Sequence, residues 1–407
     1  MSAKSSDQKE HQAVQPSPPQ LKELTGPAAQ AWSTFCRRLE RAGQLILSKE
    51  GVEDPLLQAE TLRFLTRELQ AAMQWEIENA DPDHPHFFYS DFSASGPPGP
   101  NLDNSYLWAR VRGDAAYRVV IDTKEIFDLL IGITDEKWTN YGDFPLSQFE
   151  VGADGTLEIL VGGERRGMNW LEMPPDGTLL AIRSYAFDWQ RHALPYVYIE
   201  RIGAEGQRPA PIDPETLARR LEATASWLET RPYQYPVFQE RHMDRFPVNT
   251  LPPPVEIPGG GGPIKYGFGR FRLQDDEALI VEFECPNARY WTVHTYTVPW
   301  YSQIDVLNRI TSLNAKQTHI DEDRKVRIVV AANDPGVQNW LDTGGLPTGS
   351  VFYRWIWSED TPVPRTKVIP LAEVRAHLPP RTPAFDPAQR AEQLRLRRQH
   401  LARRLRY

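Results

Sequence analysis

The sequence predicts a mainly β protein made of two related sandwich-like or jelly-roll-like halves, with a helical N-terminal layer and a C-terminal helix. Three observations favour this fold class. Short segments rich in β-branched and aromatic residues, separated by Gly, Asp and Pro, dominate the middle of the chain. Helical apolar spacing is confined to residues 28–80, a stretch near 214 and the C-terminus. A motif that combines an acidic turn, a strand and Asn-Trp-Leu occurs twice.

The N-terminal region contains a polar segment followed by two amphipathic helices. Residues 1–27 carry few apolar side chains and are predicted to be disordered, whereas 28–95 form the helical layer. The second helix begins at Asp54-Pro55, because Pro costs no hydrogen bond at the first helical position. The side chains expected to face inward are Trp32, Phe35, Cys36, Leu39, Ala42, Gly43 and Ile46, then Leu62, Leu65, Leu69, Ala72 and Met73.

The rest of the chain divides into two β domains, with a helix and a linker between them. The first domain spans 96–205, and its short connections favour antiparallel pairing. A third helix begins at Asp213-Pro214 within 206–263, a segment that ends in a Pro- and Gly-rich linker. The second domain spans 264–385, and a basic helix over 386–407 follows, so three or four helices pack on the sheets. The strands predicted in the first domain are 106–111, 116–121, 156–161, 179–185 and 196–202.

Composition excludes several classes of protein. The 407 residues include 46 Lys plus Arg against 54 Asp plus Glu, and the net charge of −8 gives no support for nonspecific nucleic-acid binding. Two cysteines are too few for a disulfide-framed secreted domain and fit a reducing compartment. Because the sequence shows neither a signal peptide nor a long apolar run, we expect a soluble cytoplasmic protein without membrane contact.

The duplicated motif suggests a role for its conspicuous polar and aromatic residues. Asn169-Trp170 and Asn339-Trp340 each follow a strand, and each copy ends in an aromatic-rich strand that carries Arg183 or Arg354. In one interpretation Asn caps the turn and Trp fills the core. In the other, the Trp face is a stacking platform and these residues bind a ligand.

The motifs of the second copy resemble a known family. ARYWTVHTY, NDPGVQNWLDTGG and RWIW resemble the bacterial DUF1214 family of unknown function, and DGTLEIL with NWLEMPPDGTLLAIRSY resembles a diverged second copy. The resemblance covers roughly residues 54–378. It implies a β-sandwich or jelly roll with appended helices, and no settled chemistry. The family strand usually reads YWxFxLY, so no role is carried over to His294.

Cofactor motifs are not found in the sequence. His84 and His86 lie in a Pro-rich turn without a third ligand at recognisable spacing, so no metal site is predicted. Gly259–Gly262 precede Pro263 and not the Lys and helix of a phosphate-binding loop, so this segment is interpreted as a linker. We therefore predict no cofactor.

Three polar groups are candidates for the chemistry. Strand alternation places Tyr290, Thr292, His294 and Tyr296 on one face, where His294 could exchange a proton near neutral pH; an ordinary hydrogen-bonded His explains the same pattern. The second group combines Arg183 and Tyr185 with Asp188 and His192, which are close enough in sequence for the carboxylate to orient the imidazole, although a surface salt bridge uses the same residues. Asn314 lies in a third, amide-rich group suited to polyols, or to turn capping.

Two sets of arginines are singled out. Arg183 and Arg354 are expected to face inward at a cleft between the halves, paired either with Asp334, Asp342 or Asp188 or with a ligand anion. The C-terminal helix is expected to dock on an acidic surface through extended Arg stems. Its residues in question are Arg390, Arg395, Arg397, Arg398, Arg403, Arg404 and Arg406, with Leu394, Leu401 and Leu405 on one side.

Three functions are compatible with these residues. The first is an enzyme that acts on a small hydroxylated or alicyclic molecule in a cleft between the halves, without metal or nucleotide, with His294, Asp188 and Tyr185 as catalytic candidates. The second is a noncatalytic small-molecule or glycan binding protein, and the third is an interaction scaffold. The expected partner is a small-molecule ligand, with no nucleic acid and no membrane, and self-association into a homo-oligomer is left open.

Overall fold

The computed structural model describes residues 25–89, 99–257 and 264–405. The predicted disorder of residues 1–24, the glycines 259–262 and Arg406 lie outside the described residues. Within them the α-helices are α1 (Pro27–Leu47), α2 (Pro55–Met73), α3 (Pro214–Thr230), α4 (Gln234–His242) and α5 (Pro387–Leu405). A π-helical turn, Gln74–Glu78, extends α2. Helix α4 was not predicted from the sequence.

The strands fall into two sets that follow one another along the chain. The first set is β1 (Phe88–Tyr89), β2 (Asn104–Arg110), β3 (Tyr117–Asp122), β4 (Asp128–Thr134), β5 (Asn140–Pro145), β6 (Thr156–Val161), β7 (Trp170–Leu171), β8 (Leu179–Tyr185) and β9 (Val197–Arg201). The second set is β10 (Ile264–Arg272), β11 (Glu277–Glu284), β12 (Ala288–Tyr296), β13 (Ser312–Asn314), β14 (Lys325–Ala331), β15 (Trp340–Asp342), β16 (Thr348–Ser358) and β17 (Arg365–Pro370).

The predicted helix starts are confirmed by side-chain caps. The Asp54 carboxylate accepts hydrogen bonds from the backbone N–H groups of Leu56 and Leu57, at 2.9 and 3.0 Å. Asp213 accepts in the same way from Thr216, at 2.8 Å. In both cases Pro follows the cap residue, so the unpaired N–H groups of the first turn are reduced by one and satisfied by the carboxylate.

The inward faces of α1 and α2 differ from the prediction. Trp32 is 56% exposed and its ring contacts Phe35 of the same helix, while Leu62 of α2 is 45% exposed. The buried face of α2 instead includes Thr61 and Glu68, because Trp300 and Trp227 donate indole hydrogen bonds to them at 2.8 and 2.9 Å. A pattern that counts only apolar residues misses a face whose polar groups have partners.

The two halves have the same topology. In the first half the sheets have the orders β1-β2-β8-β4-β5 and β7-β6-β3-β9, and in the second half the orders are β10-β16-β12-β13 and β15-β14-β11-β17. Neighbouring strands are antiparallel, except for the parallel pairs β6 with β7 and β14 with β15. Each strand of the second half therefore has a counterpart in the first, and the predicted duplicated β fold is confirmed.

Each half is a sandwich with its own apolar core, and the halves meet face to face. The sheets that contain β8 and β16 contact each other through Leu130, Tyr185, Ile264, Tyr290 and Ile356. The helical layer covers other parts of the same two sheet faces. Polar residues on these faces are consequently enclosed between two sandwiches.

Two further observations concern the described residues as a set. None of the helices in 25–89, 99–257 and 264–405 combines the length and the apolar character needed to span a membrane. Cys36 and Cys285 are both free thiols.

Candidate functional site

The interface between the halves contains two equivalent Arg and Tyr pairs. Arg183 on β8 lies opposite Tyr106 on β2, and Arg354 on β16 lies opposite Tyr266 on β10. Each guanidinium lies over the Tyr ring, 5.5 Å from the centroid in the first half and 5.7 Å in the second. The duplication therefore extends to a cation–π contact on the facing sheets.

Arg354 is buried and its partners are neutral. Its guanidinium lies 3.3 Å from the Tyr296 hydroxyl and donates to the carbonyl oxygen of Gly99. The carboxylates expected as alternative partners are bonded elsewhere: Asp334 to Arg390 at 2.9 Å and Asp342 to Arg309 at 3.0 Å. The expectation that one of these two carboxylates pairs with Arg354 is therefore wrong.

Asp103 is the centre of a buried hydrogen-bond network that joins both halves. Trp189 Nε1 and Asn314 Nδ2 donate to its Oδ1 atom at 2.6 and 2.8 Å, and the Tyr290 hydroxyl donates to its Oδ2 atom. His294 Nε2 lies 3.9 Å from the same Oδ2. Burial, followed by the negative charge of Asp103, raises the pKa of Tyr290 well above its usual value, so the phenol stays a hydrogen-bond donor.

His294 is completely buried within this network. Its Nε2 atom lies 2.8 Å from the Thr292 hydroxyl, and no described residue is hydrogen-bonded to its Nδ1 atom. Burial, and then the nearby guanidinium groups of Arg354, Arg397 and Arg404, hold the pKa of His294 well below its usual value. The imidazole is consequently neutral, and proton exchange near neutral pH, which the sequence suggested, is not favoured in this environment.

Helix α5 docks with three arginines inward. Arg390, Arg397 and Arg404, spaced seven residues apart, are 5%, 6% and 0% exposed. Arg390 pairs with Asp334, whereas Arg397 donates to the carbonyl oxygen of Val306 at 2.7 Å and Arg404 to that of Asn104 at 3.1 Å. From the sequence we predicted that the aliphatic parts of the arginine side chains would pack on the protein while the guanidinium groups stayed in solvent. In the structure the guanidinium groups of these three arginines are buried as well. A seven-residue repeat returns side chains to nearly the same helix face, so the common face of these three arginines could have been predicted from the sequence.

A groove of about 730 Å³ lies between α5 and the two halves. The first half contributes residues 187–190 to its wall, and the second half contributes several residues between 310 and 317. One face of α5 forms the remaining wall. We call this cavity the α5 groove. Trp189 and Arg397 line it, and Trp189 also donates to Asp103, so the α5 groove borders the buried network.

Asp188 is the predicted catalytic residue that lines the α5 groove. Its carboxylate lies 3.9 Å from both Arg191 and Lys316, and its backbone N–H donates to His192 Nδ1 at 3.0 Å. Burial lowers the pKa of His192. Tyr185 lies in the interface, where its ring contacts Tyr290 and Trp357. Among the described residues no hydrogen bond or ion pair joins Asp188, Tyr185 and His294 to one another.

The Asn-Trp corners lie outside the α5 groove. Asn169 and Asn339 are hydrogen-bonded to backbone groups, and the indole N–H groups of Trp170 and Trp340 donate to backbone carbonyls at 3.1 and 3.0 Å. Arg165 and Arg390 lie over the two indole rings. These contacts favour the interpretation in which the corners are structural.

A second cavity of about 290 Å³ lies between the helical layer and the first half. Trp75, Trp138 and Trp227 line it, and Arg231 lies over the rings of Trp138 and Trp227. Glu68 behind it is fully buried, and this burial raises its pKa to about 7 in spite of Arg231. In the described part of the chain no three His, Cys, Asp or Glu side chains are grouped to hold a metal ion.

Several residues of the network were missed from the sequence. Asp103 and Asn104 belong to the run Asn101-Leu-Asp-Asn-Ser105, five residues with three Asx side chains directly before or within β2. Asx side chains at the start of a strand usually cap turns, so the pattern indicated nothing beyond a loop. Their partners Trp189, Asn314 and Arg404 are distant in the chain, which is why sequence spacing could not identify them.

Comparison with known proteins identifies relatives of uncharacterised function. Residues 272–358 match the family model described as "Protein of unknown function (DUF1214)". The chain is similar to the crystal structure of an uncharacterised protein from Burkholderia cenocepacia, with 31% identity, a TM-score of 0.76 and coverage of 85% of this chain and 98% of that one. The VPA0106 protein from Vibrio parahaemolyticus is 15% identical with a TM-score of 0.44, covering 75% of this chain and 97% of that one. No curated protein matches the sequence.

Proposed function

The chain belongs to the DUF1214 family, and from the geometry described above we propose that it binds a small hydroxylated molecule in the α5 groove. The observation that carries this proposal is the composition of the groove wall, to which both halves and α5 contribute. The volume of about 730 Å³ lies within the range of roughly 300–1,000 Å³ that is usual for small-molecule sites.

The side chains of the α5 groove suit a ligand with an apolar body and several oxygen atoms. Apolar side chains from all three parts of the wall, such as Phe187, Leu313 and Leu396, provide the contact area. Five glutamines also line the groove, namely Gln190, Gln317, Gln338, Gln389 and Gln393. No side-chain N–H₂ group of these glutamines donates a hydrogen bond to another described residue, so these donors can bind hydroxyl oxygens.

Binding without catalysis is better supported than an enzyme. The catalytic candidates occupy separate places, since Asp188 lines the groove while His294 and Tyr185 are buried in the interface. A general acid and a general base must both reach the substrate. A scaffold function receives less support, because three arginines of the basic helix are used for docking.

A groove-blocking variant tests the proposal. Ala388 and Ala391 are both exposed on α5, but only Ala388 lines the α5 groove. Ala388→Trp should fill part of the groove without disturbing the core, and Ala391→Trp is the matched control. Native mass spectrometry of protein purified from its own host should show a small molecule retained by the wild type and by the control, and lost from Ala388→Trp. Equal retention by all three proteins would contradict the proposal.

The cellular context is also part of the proposal. We place the protein in the cytoplasm, with a small molecule as its partner and without nucleic acid or membrane contact. The free thiols of Cys36 and Cys285 and the net charge of −8 support this placement.

A further inference from the structure

Three buried arginines differ from the other buried charged residues of the described chain. Each of the others except Asp103 has an opposite charge within 4 Å, at distances from 2.7 to 3.7 Å. Asp103 has the neutral imidazole of His294 at 3.9 Å. Arg354, Arg397 and Arg404 have no such partner among the described residues. An uncompensated buried charge is costly, so a compensating group is expected.

The hydrogen bonds of these arginines reinforce the imbalance. The acceptors bonded to Arg354 and Arg397 are neutral: backbone carbonyls and the hydroxyls of Tyr296 and Ser312. Arg404 is fully buried and donates once, to the carbonyl of Asn104, while its Nε and Nη1 groups have no partner among the described residues. These unused N–H groups are donors that can bind anionic oxygens.

The described groups nearby do not supply the missing charge. Asp103 is the adjacent carboxylate, and it already accepts hydrogen bonds from Trp189, Asn314 and Tyr290. His294 is neutral, as described above. Burial, and then the charge of Arg404 against the attraction of Asp103, brings the pKa of Arg397 down to about 9. Among the described residues, two carboxylates, the buried Asp103 and the partly exposed Asp305, act on Arg397, and neither lies within 4 Å of a guanidinium nitrogen of Arg354, Arg397 or Arg404. Two carboxylates near three guanidinium groups leave an excess of positive charge there.

This excess adjoins the α5 groove. Arg397 lines the groove, and Trp189, which also lines it, has the guanidinium groups of Arg397 and Arg404 over its ring at 5.1 and 5.4 Å. We propose that Arg397 and Arg404 bind an anionic oxygen group, a carboxylate or a phosphate, carried by the ligand of the α5 groove. This inference rests on the proposed function, because it assigns the ligand's acidic end to the inner end of the same groove.

Arg404→Met provides the decisive variant. An apolar side chain of similar length should stabilise the ligand-free protein, since it removes an unpaired buried charge, and should weaken the response to anions. Arg398→Met is the matched control, because Arg398 is an exposed arginine of the same helix. Thermal unfolding would be followed at constant ionic strength in chloride, inorganic phosphate, gluconate and sorbitol, the last two being an acid and a neutral polyol of equal chain length.

The expected result is a rise of several degrees in the melting temperature of the wild type and of the control with gluconate or phosphate. Sorbitol should act more weakly, and Arg404→Met should bind the anion roughly tenfold to a hundredfold less tightly. A melting temperature that falls in Arg404→Met while the anion response is kept would show that the guanidinium is structural and would overturn the inference.

The remaining outcomes separate this inference from the proposed function. If sorbitol and gluconate stabilise wild type and Arg404→Met equally, the groove binds polyols and the anion site is wrong. If phosphate and gluconate stabilise Ala388→Trp as much as wild type, the anion site stands and the groove proposal fails. Phosphorus NMR of inorganic phosphate with wild-type protein needs no variant: line broadening that gluconate reverses supports the site, and sharp lines throughout overturn it.

Discussion

Asn169 and Asn339 make the same three hydrogen bonds at equivalent corners of the two halves. Asn169 donates to the carbonyl oxygens of Glu150 and Glu158, at 2.8 and 3.0 Å, and accepts from the N–H of Glu150 at 2.8 Å. Asn339 does the same with His319 and Arg327, at 2.8, 2.9 and 2.8 Å. Asn169 thereby links the corner before β7 to strand β6, and Asn339 links the corner before β15 to strand β14.

Asn339→Ala should therefore lower stability without changing ligand retention. The substitution leaves partly buried backbone groups of His319 and Arg327 without their side-chain partner, at a cost of about 1–3 kcal/mol in the free energy of unfolding. Asn308→Ala removes an exposed amide that is bonded to the Asp305 side chain and should change stability little. Chemical denaturation measures both effects. An Asn339→Ala protein of wild-type stability that no longer retains the small molecule would assign the amide to the ligand instead.

Tyr290→Phe should reveal how much the buried Asp103 network stabilises the fold. The hydroxyl is one of three side-chain donors to Asp103, so its removal leaves the buried carboxylate with one hydrogen bond fewer. We expect a loss of roughly 1–3 kcal/mol in the free energy of unfolding. Tyr198→Phe is the matched control, because the Tyr198 hydroxyl also donates to a carboxylate, that of Glu200, but at the surface. Equal effects of the two substitutions in urea denaturation would contradict the assigned role of burial.

Arg390→Met should loosen the attachment of α5. The Arg390 guanidinium makes two bonds to Asp334 and lies 4.9 and 4.6 Å from the ring centres of Trp340 and Phe385. The substitution leaves the Asp334 carboxylate without its ion-pair partner, but this carboxylate is about one third exposed and keeps part of its hydration. We therefore expect a loss on the order of 2–3 kcal/mol in the free energy of unfolding. Arg395 makes the same two-fold contact with Glu392 in solvent, so Arg395→Met should have little effect. Hydrogen exchange of α5 amides distinguishes local opening from global unfolding, and unchanged exchange in Arg390→Met would refute the prediction.

Glu68 should make stability depend on pH. Its pKa in the folded protein is raised from 4.5 to about 7, so the folded state binds this proton more tightly than the unfolded state does. The stabilisation is complete below pH 4.5 and is lost as the pH rises to about 7, a change of roughly 3 kcal/mol. The difference in unfolding free energy between wild type and Glu68→Gln should fall across this interval. The control is Glu222→Gln, at an exposed position of α3, whose unfolding free energy should differ from that of the wild type by a constant amount across this interval. If the difference between wild type and Glu68→Gln is also constant with pH, the prediction is refuted.

Much of the fold was predictable because its signals are local. Asp54 and Asp213 begin helices through bonds to N–H groups two or three residues away, and the 156–161 and 179–185 strands were predicted with the observed bounds. The repeated Asn-Trp corner was also readable, since duplication copies a whole unit of sequence. Strand β4 was missed because both of its faces are largely buried, so its residues do not alternate between apolar and polar.

The candidate site was predictable only in part. The inward position of Arg354 was predicted from its apolar neighbours, and the structure buries this residue. Strand alternation separated Tyr290 from Trp291, which lie in different apolar clusters on opposite faces of β12. The partners of Arg354 were not predicted, since Asp334 and Asp342 were expected near it and are bonded to Arg390 and Arg309.

The sequence by itself determined the helix starts and the alternation of the strands, since both depend on residues a few positions apart. It also determined the duplication of the sandwich, because one motif is repeated in the two halves. Tertiary structure alone decided which polar groups meet. Asp103 is bonded to Trp189, Tyr290 and Asn314, and the guanidinium groups of Arg397 and Arg404 were brought beside them by the docking of α5. A buried polar group takes its partners from whatever the packing of distant elements brings within about 3 Å, and no periodicity along the chain encodes that distance.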